Sequence, residues 1–175
     1  MRGRAPGRVD GHRGGNNRIV RFSKDGKFLK SIGGGVGSES DAPGRFSDPH
    51  GIAIDSQGRI LVADRGNNRI QVFDAEGNYL AQWKQFGKPS GLYIDARDTL
   101  YVGDGMSNAK RNPGWDPGIR VGDAKTGNVT AYIPDHTVYK DGESGVEFLA
   151  VDAAGTIYAG EVTAQRLVRY VPVKP

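Results

Sequence analysis

This sequence predicts an all-β fold, an incomplete, open-arc β-propeller of four-stranded antiparallel blades, and three observations predict it. Acidic residues recur in pairs nine apart: Asp55 with Asp64, Asp95 with Asp104, and Asp152 with Glu161. A short apolar run precedes each acid, with a turn between the two runs. GIAID, SQG and RILVAD form one such set, GLYID, ARD and TLYVGD the next, and LAVD, AAG and TIYAGE the third. Run, turn and run make a hairpin. Further runs follow the second acid, IQVF from Ile70 and LVRY from Leu167, and DAEGNYLAQW after Phe73 supplies another turn and a fourth strand. Repeats of about 40 residues with four antiparallel strands each are the pattern of propeller blades. Packing on both faces explains why RILVA and TLYVG are near-continuous apolar runs.

The units follow in order along the chain. Residues 1–13 are an Arg/Gly-rich irregular segment, and 14–175 form the partial propeller. NNRIVRFSKDGKFL lines up with NNRIQVFDAEGNYL, so 14–33 read as the second half of a blade. Complete blades are expected over 50–84 and 90–134, and a three-stranded one over 146–171. Because the chain starts and stops inside a unit, it reads as part of a longer protein, or as one of two copies that close a ring through their open blade edges.

Composition narrows the function classes. The 175 residues suit one domain, with 27 glycines and no cysteine, which excludes a disulfide framework and thiol catalysis. No apolar run reaches the 18 or so residues of a membrane-spanning helix. The absence of cysteine fits the cytosol or an exported compartment equally, and export would need a signal in an upstream part. The formal charge of +4 is local: residues 1–30 hold nine Lys/Arg against two Asp. MRGRAPGRVDGHRGG has neither the apolar stretch of a secretory signal nor an interleaved aromatic before Phe22, so nucleic acid is not an expected partner. No phosphate-binding loop, serine elbow or HExxH helix is present. Asp55, Asp64, Asp95 and Asp104 are expected to fix turns and backbone amides.

DPHGIAIDSQGRILVADRGNNRIQVFDAEGNYL resembles the NHL repeat, the unit of six-bladed propellers, and the likeness covers most of 14–171. GNNRIVRFSKDGKFLKSIG leading into PGRFSDPHGIAID, together with ADRGNNRIQVF, resembles more narrowly the peptidyl-α-hydroxyglycine α-amidating lyases and their bacterial relatives. That resemblance implies zinc held by three channel histidines. His50 matches one, Glu147 stands where another would be, and the third falls upstream of Met1. It also implies that Arg65 contacts the substrate carboxylate and that His12, after Asp10-Gly11, stands near the place of a tyrosine base. The family's calcium-binding acid corresponds to Phe148, so no such calcium site is expected.

Spacing can be set beside this resemblance. His50 lies five residues before Asp55 at the start of a first strand, and Arg65 follows Asp64 at the end of a second, so both face one rim. Ser90 and Glu147 occupy the place of His50 in later blades, and alternate blades would aim His50 and Glu147 at the axis, where zinc accepts imidazole and carboxylate. Arg65 either receives a ligand carboxylate or pairs with neighbouring acids. The loop GMSNAKRNPGWDPG, about nine residues longer than its counterpart after Asp64, offers Lys110, Arg111 and Trp115 on the same rim, as a lid or as a turn-rich loop on its own blade. His136 has no repeat counterpart and is expected in solvent.

Two functions from different classes follow. One is a zinc-assisted carbon–nitrogen lyase in the longer protein, inactive as this chain alone. The other is a non-catalytic propeller binding a peptide, protein or RNA on its rim.

Overall fold

The computed structural model describes residues 16–34, 41–137 and 144–173. Among these described residues, thirteen strands form four antiparallel sheets of two, four, four and three strands, each a simple meander. The first pairs β1 (Arg18–Phe22) with β2 (Phe28–Gly33). The second runs β3 (Pro49–Ile54), β4 (Ile60–Asp64), β5 (Arg69–Phe73) and β6 (Tyr79–Trp83). The third runs β7 (Leu92–Ile94), β8 (Thr99–Asp104), β9 (Gly118–Asp123) and β10 (Val129–Pro134). The fourth holds β11 (Val146–Val151), β12 (Ile157–Glu161) and β13 (Arg166–Tyr170). One 3₁₀ turn, Arg65–Asn67, is the only helical element among the described residues. His12 lies outside them.

One hairpin turn recurs, and the first acid of each pair builds it. Asp55 Oδ1 accepts the Gln57 and Arg59 amides, Asp95 Oδ1 those of Arg97 and Thr99, and Asp152 Oδ1 those of Ala154 and Thr156. Each turn needs one residue at positive φ, which Gly58 and Gly155 provide without steric cost. Asp98 takes that conformation in the middle case, and its carboxylate spans to the preceding blade by accepting the Ser56 amide and hydroxyl.

Each seam between sheets has its own apolar core. Ile19 and Phe46 meet Val62 and Phe73; Leu61, Ile70, Val72, Trp83 and Phe86 meet Leu100 and Val102; Tyr101 and Ile119 meet Val146, Ile157 and Ala159. Adjacent residues of β4 thus serve opposite seams, Leu61 one and Val62 the other, which is why the run is unbroken by polar residues. On the fourth sheet, apolar side chains reach solvent: Phe148 is 60% and Leu167 70% exposed. The second acids are buried anchors. Asp64 accepts the Ser47 amide on one oxygen and Asn67, Arg69 and Gln71 side chains on the other, and Asp104 accepts the Lys88, Met106 and Ser107 amides.

First strands β3, β7 and β11 lie side by side. Glycine permits this spacing. A Cβ on Gly51 would stand 2.4 Å from Ser90 O, and one on Gly91 would stand 2.7 Å from Phe148 Cα. The residues just before these contacts, His50, Ser90 and Glu147, are therefore drawn together at one rim.

Candidate functional site

Arg65 is the centre of that rim. The sequence ends β4 at Asp64, and the 3₁₀ turn that follows puts the Arg65 side chain back across the first strands. Its Nη1 lies 2.8 Å from Glu147 Oε2, 3.3 Å from His50 Nε2 and 3.5 Å from Ser90 Oγ. Three residues at equivalent places in three blades thus meet one guanidinium. His50 Nε2 also lies 3.0 Å from Glu147 Oε2. One nitrogen cannot donate to the carboxylate and accept from the arginine at once, and the shorter contact assigns its hydrogen to Glu147.

Strand irregularities aim these side chains. In β3 the register shifts between Pro49, opposite Asp64, and Ile52, opposite Val62, so His50 and Gly51 share one place in the ladder. In β11 the shift falls between Val146 and Phe148, and Glu147 is the additional residue. Such bulges re-aim a side chain at the edge of a sheet. Sequence spacing paired His50 with Glu147 but did not reveal the bulges, whose one local signal is the glycine after His50.

Burial pushes the Glu147 carboxyl up, but the hydrogen bond from His50 and the charges of Arg65 and His50 outweigh it, so its pKa falls below the ordinary value. On the outer side Arg65 Nε and Nη2 both lie 2.9 Å from Asp48 Oδ2. Arg65 therefore pairs with acids on both sides.

Sequence reasoning missed Lys88. Its Nζ donates to Arg65 O at 3.0 Å and Asn68 Oδ1 at 3.1 Å, and burial first, then the charge of Arg65, lowers its pKa. Arg111 adds to the same positive field, and its Nη1 is buried without an acceptor among the described residues. Trp115 points elsewhere: the Arg120 guanidinium stacks 4.7 Å from its ring and 4.8 Å from that of Tyr132, so this part of the loop packs on its own blade. Lys110 is exposed on the loop.

Zinc needs three or four donors. Among the described residues, no third histidine, cysteine or acid has a ligand atom within 4.8 Å of both His50 and Glu147, and the Arg65 guanidinium already supplies positive charge beside them. The two donors by themselves do not fit a zinc site.

Residues 46–73, which hold His50 and Arg65, match the NHL repeat family. The chain carries an NHL repeat on a β-propeller fold. This NHL propeller is 31% identical over 167 residues to NHL repeat-containing protein 3 of Homo sapiens, covering 94% of the chain and 46% of the relative. It is also 31% identical over 171 residues to peptidyl-glycine alpha-amidating monooxygenase B of Xenopus laevis, covering 91% of the chain and 18% of that protein. The chain thus spans less than half the length of these curated relatives. Among solved structures, virginiamycin B lyase from Staphylococcus aureus aligns with a TM-score of 0.57 at 18% identity over 90% of the chain and 50% of the lyase, a likeness of fold.

Proposed function

We propose that this NHL propeller binds the carboxylate end of a peptide or small molecule on the rim around Arg65, and that the chain by itself does not turn it over. The observation that carries this reading is the guanidinium of Arg65 held across three blade starts by His50, Ser90 and Glu147. The fork formed by Nε and Nη2 faces outward and is spent on a single oxygen of Asp48, a residue whose side chain is 45% exposed. A ligand carboxylate brings two oxygens to that fork and displaces Asp48 to solvent, exchanging a single-oxygen contact for a bidentate one. Lys88 and Arg111 supply further positive charge, and Arg111 Nη1 lacks an acceptor among the described residues.

Similarity to the amidating monooxygenase supports a peptide ending in α-hydroxyglycine as the ligand. A lyase acting on it would break the C–N bond of the carbinolamide, leaving a peptide amide and glyoxylate. His50 and Glu147 offer two donors among the described residues, too few to hold zinc on their own.

The test is equilibrium titration of the chain with a short peptide ending in a free carboxylate and with its C-terminal amide. Binding of the acid alone, without glyoxylate release from the hydroxyglycine form, is expected. Equal binding of acid and amide, or steady glyoxylate release, would overturn the reading.

A further inference from the structure

Glu161 occupies the same repeat position as Asp64 and Asp104 but is not satisfied in the same way. Asp64 takes the Ser47 amide and three side-chain donors, and Asp104 takes three backbone amides, the Ser107 hydroxyl and Arg120. In the last blade the corresponding amide, that of Ser144, donates to Thr163 Oγ1 at 3.0 Å instead. Glu161 Oε2 is met by Arg166 Nε. Its Oε1, on a side chain with no exposed surface, accepts no hydrogen bond among the described residues. A buried carboxylate oxygen left in this way is costly unless something else meets it.

What it faces is His136. His136 is exposed, as its place in a polar connection predicts, with 37% of its side chain open to solvent, but its Nδ1 points inward, 3.4 Å from Glu161 Oε1 and 3.3 Å from Asp135 Oδ1. The Tyr170 hydroxyl lies 3.4 Å from the same nitrogen, and its pKa is pushed up to about 12, by burial first and then by the charges of Asp135 and Glu161, so it stays a neutral hydroxyl. One Nδ1 atom cannot hydrogen-bond all three oxygens well. Ligand atoms of Asp135, His136 and Glu161 lie within 4.8 Å of one another, and both carboxylates are buried. Arg166 pairs with the other oxygen of Glu161, Oε2, and leaves Oε1 to the cluster.

We infer that Asp135, His136 and Glu161 form a divalent-cation site, taking zinc through Nδ1 and two carboxylate oxygens, at the seam between the third and fourth sheets. Imidazole and carboxylate are ordinary zinc ligands, three protein donors leave a fourth position open, and a dication would meet the buried Glu161 Oε1. Asp135 follows β10, and Glu161 ends β12, so the site is on the same rim as Arg65 but towards its outside. It shares no residue with the peptide site.

The experiment is zinc titration of the chelator-treated chain, with cobalt absorption as a second readout. Wild type and His50→Ala are expected to bind zinc with equal stoichiometry at this site. His136→Ala and Asp135→Asn are expected to lose one equivalent, or to weaken binding beyond the roughly 10–100-fold that an outer-shell change costs. His136 is partly exposed, so its replacement leaves the fold intact, as circular dichroism would verify. No zinc bound by wild type, or an equivalent that survives His136→Ala, would overturn the inference.

Discussion

Arg65 Nη1 lies 2.8 Å from Glu147 Oε2 although 82 residues separate the two in sequence. The contact joins the end of β4 in the second sheet to the start of β11 in the fourth, across the start of the third. It exists because the first strands pack at glycine distance. Several properties of the protein depend on it.

Gly91→Ala tests that packing without touching a polar group. The new methyl would collide with the backbone of Phe148 at 2.7 Å and with Glu147 O at 3.0 Å, and overpacking of this kind costs about 1–3 kcal/mol. Denaturant unfolding should show that loss, and titration should show weaker peptide binding, because β11 carries Glu147 away from Arg65.

The dependence on pH follows from Glu147. Its folded-state pKa lies below the ordinary 4.5, so its contribution to stability is fully present above 4.5 and is lost as pH falls through the lowered value. Urea unfolding of wild type and Glu147→Gln should differ at pH 7 and converge in acid. A difference that stays constant across this range would show that the carboxylate charge is not the source.

Buried anchors should matter more than exposed pairs. Arg69 and Asp64 have side chains without exposed surface and lie 2.7 Å apart, so Arg69→Ala should cost about 3–5 kcal/mol by leaving a buried carboxylate, still hydrogen-bonded by Ser47, Asn67 and Gln71, without its balancing cation. Arg97, exposed beside Asp95, should change stability by less than about 0.5 kcal/mol when replaced by alanine.

Trp115 separates a lid from a structural loop. Its ring stacks on Arg120, a contact worth about 0.5–2 kcal/mol. Trp115→Ala should lower the unfolding midpoint and leave the affinity for a carboxylate peptide unchanged. A large loss of affinity at constant stability would make the tryptophan a ligand contact.

Much of the fold was legible in the sequence because acids do structural work at fixed spacing. Asp55, Asp95 and Asp152 each hold two amides of the same turn, so the nine-residue interval marked the first hairpin of three of the sheets. The meeting of His50 with Glu147 was legible from their common place before these acids. The bulges at His50 and Glu147 were not, since each depends on strand register rather than on residue type. Lys88 was hidden for a similar reason, as its partners are a carbonyl and an amide oxygen in a neighbouring blade. His136 lies in a connection without a repeat counterpart, and only the fold brings it to Glu161.

The most direct measurement compares the affinity of a carboxylate-ended peptide for wild type, Asp48→Asn and Arg65→Lys. Asp48 competes for the outer fork of Arg65, and asparagine tolerates the positive φ of 51° at that position. The account predicts tighter binding by Asp48→Asn and at least about tenfold weaker binding by Arg65→Lys, whose point charge cannot make the bidentate contact. Unchanged or weaker binding by Asp48→Asn, with Arg65→Lys equal to wild type, would contradict it.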